Sequence, residues 1–186
     1  MKSLLLFSSL ALFAIPSLAA AQSRVYLGVS TGTLSPTEDT TFTDAGFAFG
    51  ASATVVTGGW LGFGASYLGA INGETALGEA TSFQSGSLDL KLMLPVSVNG
   101  GGGLTPYLRA GLGVYQFKAD ILGFTAETGI NAQVPLGAGI LIDLNDQLAI
   151  GGDFAYHILF DGNFDETPER SDIDAWDASL NLVFKM

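Results

Sequence analysis

Six ionisable side chains occur in stretches of the sequence that are otherwise rich in apolar residues and glycine. Carboxylates, an amine, a guanidinium and an imidazole at such positions can form ion pairs, line a selectivity ring or move protons between an acid and a base. Because a charge removed from water must be paired or hydrated, these residues predict a polar network inside the protein. The six residues are Asp89, Lys91, Arg109, Asp153, His157 and Asp177.

The single histidine raises the question of catalysis. His157 lies four residues after Asp153, and a nucleophile, a base and an acid can be assembled from separate parts of a chain. Both residues are predicted to face the interior, away from any substrate at the protein surface. We therefore expect no enzymatic activity, no cofactor and no metal centre, and we interpret Asp153 as accepting a hydrogen bond or pairing with a basic neighbour.

The acidic segment 161–172 is the second candidate for chemistry. It contains five carboxylates and one basic residue, Arg170, and clustered carboxylates can bind Ca²⁺. The regular oxygen spacing of an EF-hand loop is missing from this segment. We therefore expect a solvated surface loop.

The elements that must position these residues are β-strands, as the end of the sequence shows. From Asp174 to Met186, alternate positions are apolar and the positions between them are mostly polar. A period of two places the two sets on opposite faces of a strand. The apolar set comprises Trp176, Ala178, Leu180, Leu182, Phe184 and Met186.

Seven earlier segments alternate in the same way, and their connections are in turn long and short. Strands of about 9 to 14 residues are long for a globular sheet but suit a tilted crossing of a bilayer. The pattern therefore predicts an all-β fold, an eight-stranded antiparallel up-and-down transmembrane β-barrel. The predicted strands are 24–32, 45–56, 60–71, 83–96, 106–118, 128–144, 148–160 and 174–186. The predicted long loops are 34–44, 72–82, 119–127 and 161–172, and the short turns are 57–59, 99–105 and 145–147.

Alternation alone would also fit a soluble, lipocalin-like barrel, and the glycines favour the membrane protein. Gly accounts for 25 of 186 residues, and most strand glycines fall on the less apolar face. Facing water, they would weaken the sheet, whereas facing inward they make room in a narrow barrel. Aromatic residues near both strand ends resemble the girdles of membrane barrels. They are Phe47, Tyr67, Tyr156, Phe160 and Trp176 near the long loops, and Trp60, Tyr107 and Phe184 near the short turns, with the facing of Trp60 and Tyr107 left open.

The first residues indicate export. Lys2 precedes an apolar run that Pro16 ends, and small residues up to Ala21 offer a cleavage site before Gln22. This predicts a signal peptide at 1–21 and one barrel domain at 22–186. The mature chain would carry 6 basic and 18 acidic side chains, a net charge of −12, which argues against nucleic acid as a partner. The chain has no cysteine, which excludes disulfides and thiolate metal sites.

Three stretches carry a resemblance to a known family. They are Val25-Tyr26-Leu27-Gly28-Val29-Ser30, Thr105-Pro106-Tyr107-Leu108-Arg109-Ala110-Gly111-Leu112-Gly113 and the alternating end at Phe184. The mature chain resembles the small eight-stranded outer-membrane barrels of Gram-negative bacteria, the OmpA transmembrane-domain and OmpX-like group, often described as porin-family barrels.

The resemblance implies how the chain is assembled and what it lacks. The barrel-assembly machinery would read the terminal strand through Trp176, Leu180, Leu182 and Phe184; members usually end on an aromatic residue, whereas Lys185-Met186 follow here. Some members modify lipid A, and the deacylase type has a histidine and a serine two residues apart. Here His157 is followed by Ile158-Leu159, so that motif is absent. We also expect no peptidoglycan-binding domain after the barrel.

These observations lead to one expected function and two alternatives. Eight strands leave an interior only just filled by side chains, so the six ionisable residues are interpreted as a hydrated network that holds the barrel shut. We expect a monomer in contact with outer-membrane lipid and lipopolysaccharide, with both termini in the periplasm. Its role would be structural or surface recognition of an extracellular ligand through the four long loops. The alternatives are a narrow channel for ions or small solutes and a soluble periplasmic carrier.

Overall fold

The computed structural model describes residues 23–37, 45–72, 80–98, 102–121, 124–127, 129–161, 169–170 and 174–186. The predicted signal peptide lies outside these ranges, as does most of the acidic segment 161–172. Within the described ranges there is no helix of the length and hydropathy needed to span a membrane. The described residues form eleven strands: β1 (Arg24–Pro36), β2 (Gly46–Thr57), β3 (Leu61–Asn72), β4 (Ala80–Met93), β5 (Val96–Val98), β6 (Gly102–Ile121), β7 (Phe124–Glu127), β8 (Asn131–Asp143), β9 (Leu148–Asp161), β10 (Glu169–Arg170) and β11 (Ala175–Lys185).

Eight of these strands close into a barrel. Strands β1, β2, β3, β4, β6, β8, β9 and β11 each pair antiparallel with the next, and β11 pairs back onto β1. The closing register runs from Tyr26 opposite Lys185 to Pro36 opposite Ala175. Two backbone hydrogen bonds between Val25 and Met186 continue the seam past its last strand pair. The predicted eight-stranded antiparallel barrel is confirmed.

Three short strands extend the wall beyond the predicted limits. β5 pairs with the first residues of β6, β7 pairs with its last residues, and β10 pairs with the end of β9. The prediction that 119–127 is a loop is therefore wrong for most of its residues, which form the β6–β7 hairpin. The loop predicted at 34–44 likewise begins too early, because Leu34 is buried on the inward face of β1. The composition of these segments is typical of loops, although strand pairing continues in them beyond the regular alternation of apolar and polar residues.

Local sequence explains where strands end and turn. Gly58 and Gly59 adopt φ values of 60° and 78° between β2 and β3, a left-handed conformation that glycine accepts without steric cost. Asn145 accepts hydrogen bonds from the N–H groups of Gln147 and Leu148 at 2.9 and 2.8 Å, which forms the turn between β8 and β9. The strand predicted at 83–96 stops at Met93, because Pro95 lacks the N–H needed to continue a ladder.

The two faces of the wall differ as the alternation predicts. Large apolar side chains point outward and are exposed, such as Leu88 at 67%, Leu112 at 71% and Leu180 at 70%. The inward face contains the buried residues and many glycines. A Cβ added to Gly139 would collide with the ring of Tyr107, so this glycine makes room for a lumen side chain. The exposed outer band has no covering of its own and needs an apolar solvent.

Candidate functional site in the barrel lumen

Two apolar clusters fill the lumen at different heights. The loop-side cluster lies near the long connections, where the ring of Phe83 packs against Tyr115 and Phe117 with centroids 5.9 and 5.0 Å apart. The turn-side cluster lies near the short turns. The loop-side cluster comprises Leu34, Ala48, Ala70, Phe83, Tyr115, Leu159 and Ala175, and the turn-side cluster comprises Val56, Met93, Tyr107, Leu141, Ala149 and Val183. Together they place buried apolar side chains at two heights of the described lumen.

The six ionisable residues predicted to face inward lie between these clusters, and we call them the polar belt. β4 contributes Asp89 and Lys91, and β6 contributes Arg109 from the position paired with Lys91. β9 contributes Asp153 and His157, and β11 contributes Asp177. Four strands that are distant in sequence therefore bring the charges to one level.

Arg109 joins two carboxylates of the belt. Its Nη2 lies 2.9 Å from Oδ1 of Asp153 and 3.6 Å from Oδ1 of Asp177. The hydroxyl of Tyr107 donates to the other oxygen of Asp153 at 2.8 Å. Asp153 is thus held by a charged donor and a neutral donor, a geometry that compensates for the loss of water.

The facing of Tyr107, which the sequence leaves open, is inward. The residue lies near the short turns, is only 7% exposed and points into the lumen. Its position two residues before Arg109 on the same strand was the signal that could have placed it. Trp60, whose facing was also open, lies in the turn after β2 and is 55% exposed.

Both ring nitrogens of His157 are engaged. Nε2 lies 2.7 Å from Oδ1 of Asp177, and Nδ1 lies 3.2 Å from Oε1 of Gln133. The ring is 3% exposed. Among the described residues neither nitrogen is bonded to a hydroxyl that could act as a nucleophile. This arrangement orients the imidazole inside a hydrogen-bond network of the lumen.

Asp89 is held by hydroxyl groups. Ser66 donates to its Oδ2 at 2.6 Å and Ser87 donates to its Oδ1 at 2.9 Å. Ser87 lies on the inward face of β4 two residues before Asp89. Alternation along β3 and β4 is consistent with an inward position for both serines, but it does not indicate that either one contacts Asp89.

Lys91 differs from the other members of the belt. In the described part of the chain it forms no ion pair and no hydrogen bond, and its Nζ lies 5.6 Å from the centroid of the Tyr107 ring. Lys185, which also faces inward, pairs with Asp143 at 2.9 Å near the short turns. Lys185 therefore has a carboxylate within ion-pair distance, whereas Lys91 interacts with Asp89 and Asp153 only at longer range.

Two small cavities remain beside the belt. Their volumes are about 50 and 30 Å³, and both are lined by Ser52, Lys91, Tyr107 and Asn181. The buried Nδ2 of Asn181 and Nε of Arg109 have no hydrogen-bond acceptor within the described residues. No group of three or more histidine, aspartate or glutamate side chains in the described ranges could hold a metal ion.

The four residues predicted to form the assembly signal lie on the outward face of β11. Trp176 stacks on Phe154 of β9 at a centroid distance of 6.0 Å. Leu180, Leu182 and Phe184 follow along the same face and are exposed. Their recognition by the barrel-assembly machinery stays a prediction.

Comparison with known proteins identifies the family. The model of the outer membrane protein beta-barrel domain matches residues 5–185. The chain belongs to this family. No curated protein sequence matches the chain. Two of the most similar solved structures are Neisserial surface protein A, with a TM-score of 0.62 and 15% identity over 88% of this chain and 97% of that one, and the N-terminal barrel domain of Pseudomonas aeruginosa OprF, with a TM-score of 0.57 and 14% identity over 87% and 97%.

A third similar structure is the attachment invasion locus protein Ail of Yersinia pestis, with a TM-score of 0.52 and 14% identity over 88% of this chain and 97% of that one. At these identities the structural matches show the fold alone. The family assignment makes the exposed outer band the surface of an outer-membrane barrel, in agreement with the predicted fold class.

Proposed function

We propose that the protein is an integral outer-membrane barrel with either a structural role or a role in surface recognition. The observation that supports this most is the filling of the lumen. The loop-side cluster, the polar belt and the turn-side cluster occupy successive levels, and the two cavities beside the belt have volumes of only about 50 and 30 Å³. A barrel filled in this way acts through its outer band and the connections at its rims.

The proposed membrane contact can be tested at two positions on the outer face. Leu92 on β4 and Leu182 on β11 both point outward and are exposed. Spin labels at these positions should be quenched by oxygen dissolved in the acyl chains and protected from water-soluble nickel reagents. A label at Gln133, which is buried in the lumen, serves as the control. Water contact at Leu92 and Leu182 would contradict the membrane assignment and revive the soluble-carrier alternative.

The charge of the long connections suggests which partner a surface role would involve. Twelve of the 18 acidic side chains lie in the segments 34–44, 72–82, 119–127 and 161–172, together with one basic residue, Arg170. They are Glu38, Asp39, Asp44, Glu74, Glu79, Asp120, Glu127, Asp161, Asp165, Glu166, Glu169 and Asp172. This concentration of negative charge attracts cationic surfaces and repels polyanions.

This charge distinguishes the chain from one structural neighbour. Ail of Yersinia pestis has been solved in complex with the heparin analogue sucrose octasulfate. We expect the present chain to bind a basic protein surface instead. In proteoliposomes of neutral lipid, binding to immobilised polylysine should exceed binding to immobilised heparin and should weaken with salt.

The acidic segments themselves provide the control for this experiment. A variant with the twelve carboxylates converted to their amides should lose the preference for polylysine while keeping the barrel. Retained preference in this variant, or equal binding to both matrices, would contradict a surface role based on loop charge.

A narrow channel is the second candidate, because the polar belt could serve as a selectivity ring. Planar-bilayer recording of the refolded protein separates the two candidates. The filled lumen predicts no discrete currents for the wild type. The double variant Phe83→Ala, Leu159→Ala removes two fully buried side chains of the loop-side cluster and should conduct at least intermittently, which shows that the assay can detect an opening. Steady discrete currents from the wild type would overturn the filled-lumen proposal.

The remaining aspects of the proposal concern assembly and surroundings. The protein would be exported, folded by the barrel-assembly machinery through its terminal strand and retained as a monomer among outer-membrane lipid and lipopolysaccharide. The short turns and termini would face the periplasm. Extraction with salt in the absence of detergent should leave the protein in the membrane fraction.

A further inference from the structure

The outer wall of the barrel contains a groove that crosses four neighbouring strands, β8, β9, β11 and β1. Its volume is about 720 Å³, within the range of about 300–1,000 Å³ that is usual for small-molecule sites. The groove lies on the apolar outer band and not in the lumen. The outward residues that border it include Thr31, Ile140, Gly152, Phe154, Ala178 and Leu180.

The register of the strands explains the shape of the groove. Gly152 on β9 is paired with Ile140 on one side and with Leu180 on the other. Phe154, the next outward residue of β9, is paired with Ala178. Gly152 therefore forms a floor between larger side chains, of which Leu180 is 70% and Phe154 is 51% exposed.

No side chain in the described part of the protein covers Gly152. A Cβ atom added there would meet only the backbone oxygen of Ser179, at 3.9 Å. Gly69, another outward glycine, differs because the ring of Phe49 lies over it and would collide with a Cβ. A glycine inside a strand weakens the strand and often marks the close approach of a ligand. Packing within the protein does not require glycine at position 152, whereas a ligand lying on the groove floor would.

We propose that the groove binds one acyl chain of a phospholipid. This inference rests on the membrane location proposed above, because acyl chains surround the outer band of a membrane barrel. On a flat wall a lipid chain touches the protein along one side, whereas in the groove it also touches Phe154 and Leu180 at its flanks. Such van der Waals contacts are small singly and large together. The lipid over Gly152 is therefore held in preference to the freely exchanging lipid around the barrel.

The position of the groove and the charge of the two rims indicate the leaflet. Ile140 lies three residues before the end of β8 and Gly152 four residues after the start of β9, close to the short turn between these strands. In the proposed orientation, phospholipid occupies the leaflet on this side and lipopolysaccharide the leaflet on the side of the long connections. The twelve acidic residues of the long connections repel lipid phosphate. The described turn-side rim carries two charges of each sign, on Arg24, Lys185, Asp143 and Asp146.

Native mass spectrometry identifies and counts the bound lipid. The protein is refolded into vesicles that contain equal amounts of lipid A and of a phosphatidylcholine with a dibrominated acyl chain, and is then transferred to detergent. Freely exchanging lipid is lost at this step, whereas a lipid held in the groove is retained. We expect one phosphatidylcholine per barrel. Retention of lipid A in its place would overturn the assignment to phospholipid, and loss of all lipid would overturn the site.

Trp176 shows where the retained lipid lies, because its ring stacks on Phe154 at a centroid distance of 6.0 Å. Trp60→Phe leaves Trp176 as the single tryptophan. Its fluorescence in the retained complex should be lower with brominated than with unbrominated phosphatidylcholine, since bromine quenches on contact. Retained lipid without quenching would lie elsewhere and contradict the proposal. In the vesicles themselves Trp176 should also be quenched, and its absence there would contradict the membrane location rather than the groove alone.

Two outward glycines provide a matched pair of variants. A Cβ at Gly86 on β4, like one at Gly152, would meet only a backbone oxygen at 3.9 Å, so a side chain fits at either position. Gly86 does not line the groove. Gly152→Leu fills the groove floor and should reduce lipid retention roughly threefold to tenfold, whereas Gly86→Leu should retain the lipid as the wild type does. Equal retention in the two variants would contradict the assignment of the site to the groove.

Discussion

The outer and inner faces of the same eight strands are organised in different ways. Along the outer face, exposed apolar side chains, both aliphatic and aromatic, repeat from one strand end to the other. Along the inner face, an apolar cluster, a polar belt and a second apolar cluster follow one another. The outer face needs only a uniform apolar solvent, whereas the inner face depends on which side chains meet across strands. The difference implies that a substitution on the outer face acts through its depth in the membrane, and one on the inner face acts through its particular partners.

The largest predicted effect is on the inner face, at Asp177, which contacts two basic side chains. Asp177 contacts both His157 and Arg109. Asp177→Ala leaves these groups buried and incompletely paired, which should lower the free energy of unfolding by about 3–5 kcal/mol. Urea unfolding in lipid vesicles measures this loss. Ser179→Ala, two residues along the same face, is the control and should change stability by less than about 1 kcal/mol.

The next effect tests the outer face. Leu90 is exposed on β4 between two inward-facing charged residues, Asp89 and Lys91. Leu90→Arg should cost about 2–4 kcal/mol if the residue lies near the middle of the bilayer, and Leu144→Arg in the turn after β8 should cost about 0–1 kcal/mol. The comparison uses the same vesicle assay. Equal costs at the two positions would show that depth in the membrane does not govern the outer face.

A comparison of Ser87→Arg with Leu90→Arg tests the inward and outward faces of the same strand, β4. Ser87 is three residues before Leu90 but points inward, where its hydroxyl binds Asp89. An arginine there would crowd the lumen cavity of only about 50 Å³ that Ser87 lines. The resulting loss of unfolding free energy should be independent of bilayer thickness. The loss from Leu90→Arg should vary with the lipid chain length, since it arises from the acyl chains. If the loss of unfolding free energy from Ser87→Arg also varied with lipid chain length, Ser87 would face the acyl chains rather than the lumen.

The two faces also differ in how much the sequence reveals. A period of two was enough to place Leu90 outward and Asp89 inward, because neighbouring residues of a strand must alternate. It could not show that Tyr107 bonds Asp153 or that Lys91 stands opposite Arg109, since these contacts depend on the register between strands. The extent of the wall was also underestimated. The segment after Lys118 lacks clear alternation, yet β6 continues to Ile121 and pairs back with β7.

The smallest predicted effect tests whether the polar belt acts as a unit. Tyr107→Phe removes the hydroxyl that donates to Asp153 at 2.8 Å but leaves the ion pair with Arg109 in place. A hydrogen bond to a charged group contributes about 1.5 kcal/mol or slightly more, and the same vesicle assay should detect that loss. Tyr67→Phe, on the exposed outer face, should be within about 0.5 kcal/mol of the wild type.

The size of the Tyr107→Phe loss also distinguishes two descriptions of the lumen. If its partners act independently, the double variant Tyr107→Phe, Asp177→Ala should lose the sum of the two single effects. Arg109 contacts both Asp153 and Asp177, however, so removing Asp177 should shift Arg109 toward Asp153 and reduce the need for the tyrosine hydroxyl. We therefore expect the double variant to lose less than the sum. Strict additivity would mean that the belt is a set of separate pairs, and that partners on the inner face are as independent of one another as the side chains of the outer face.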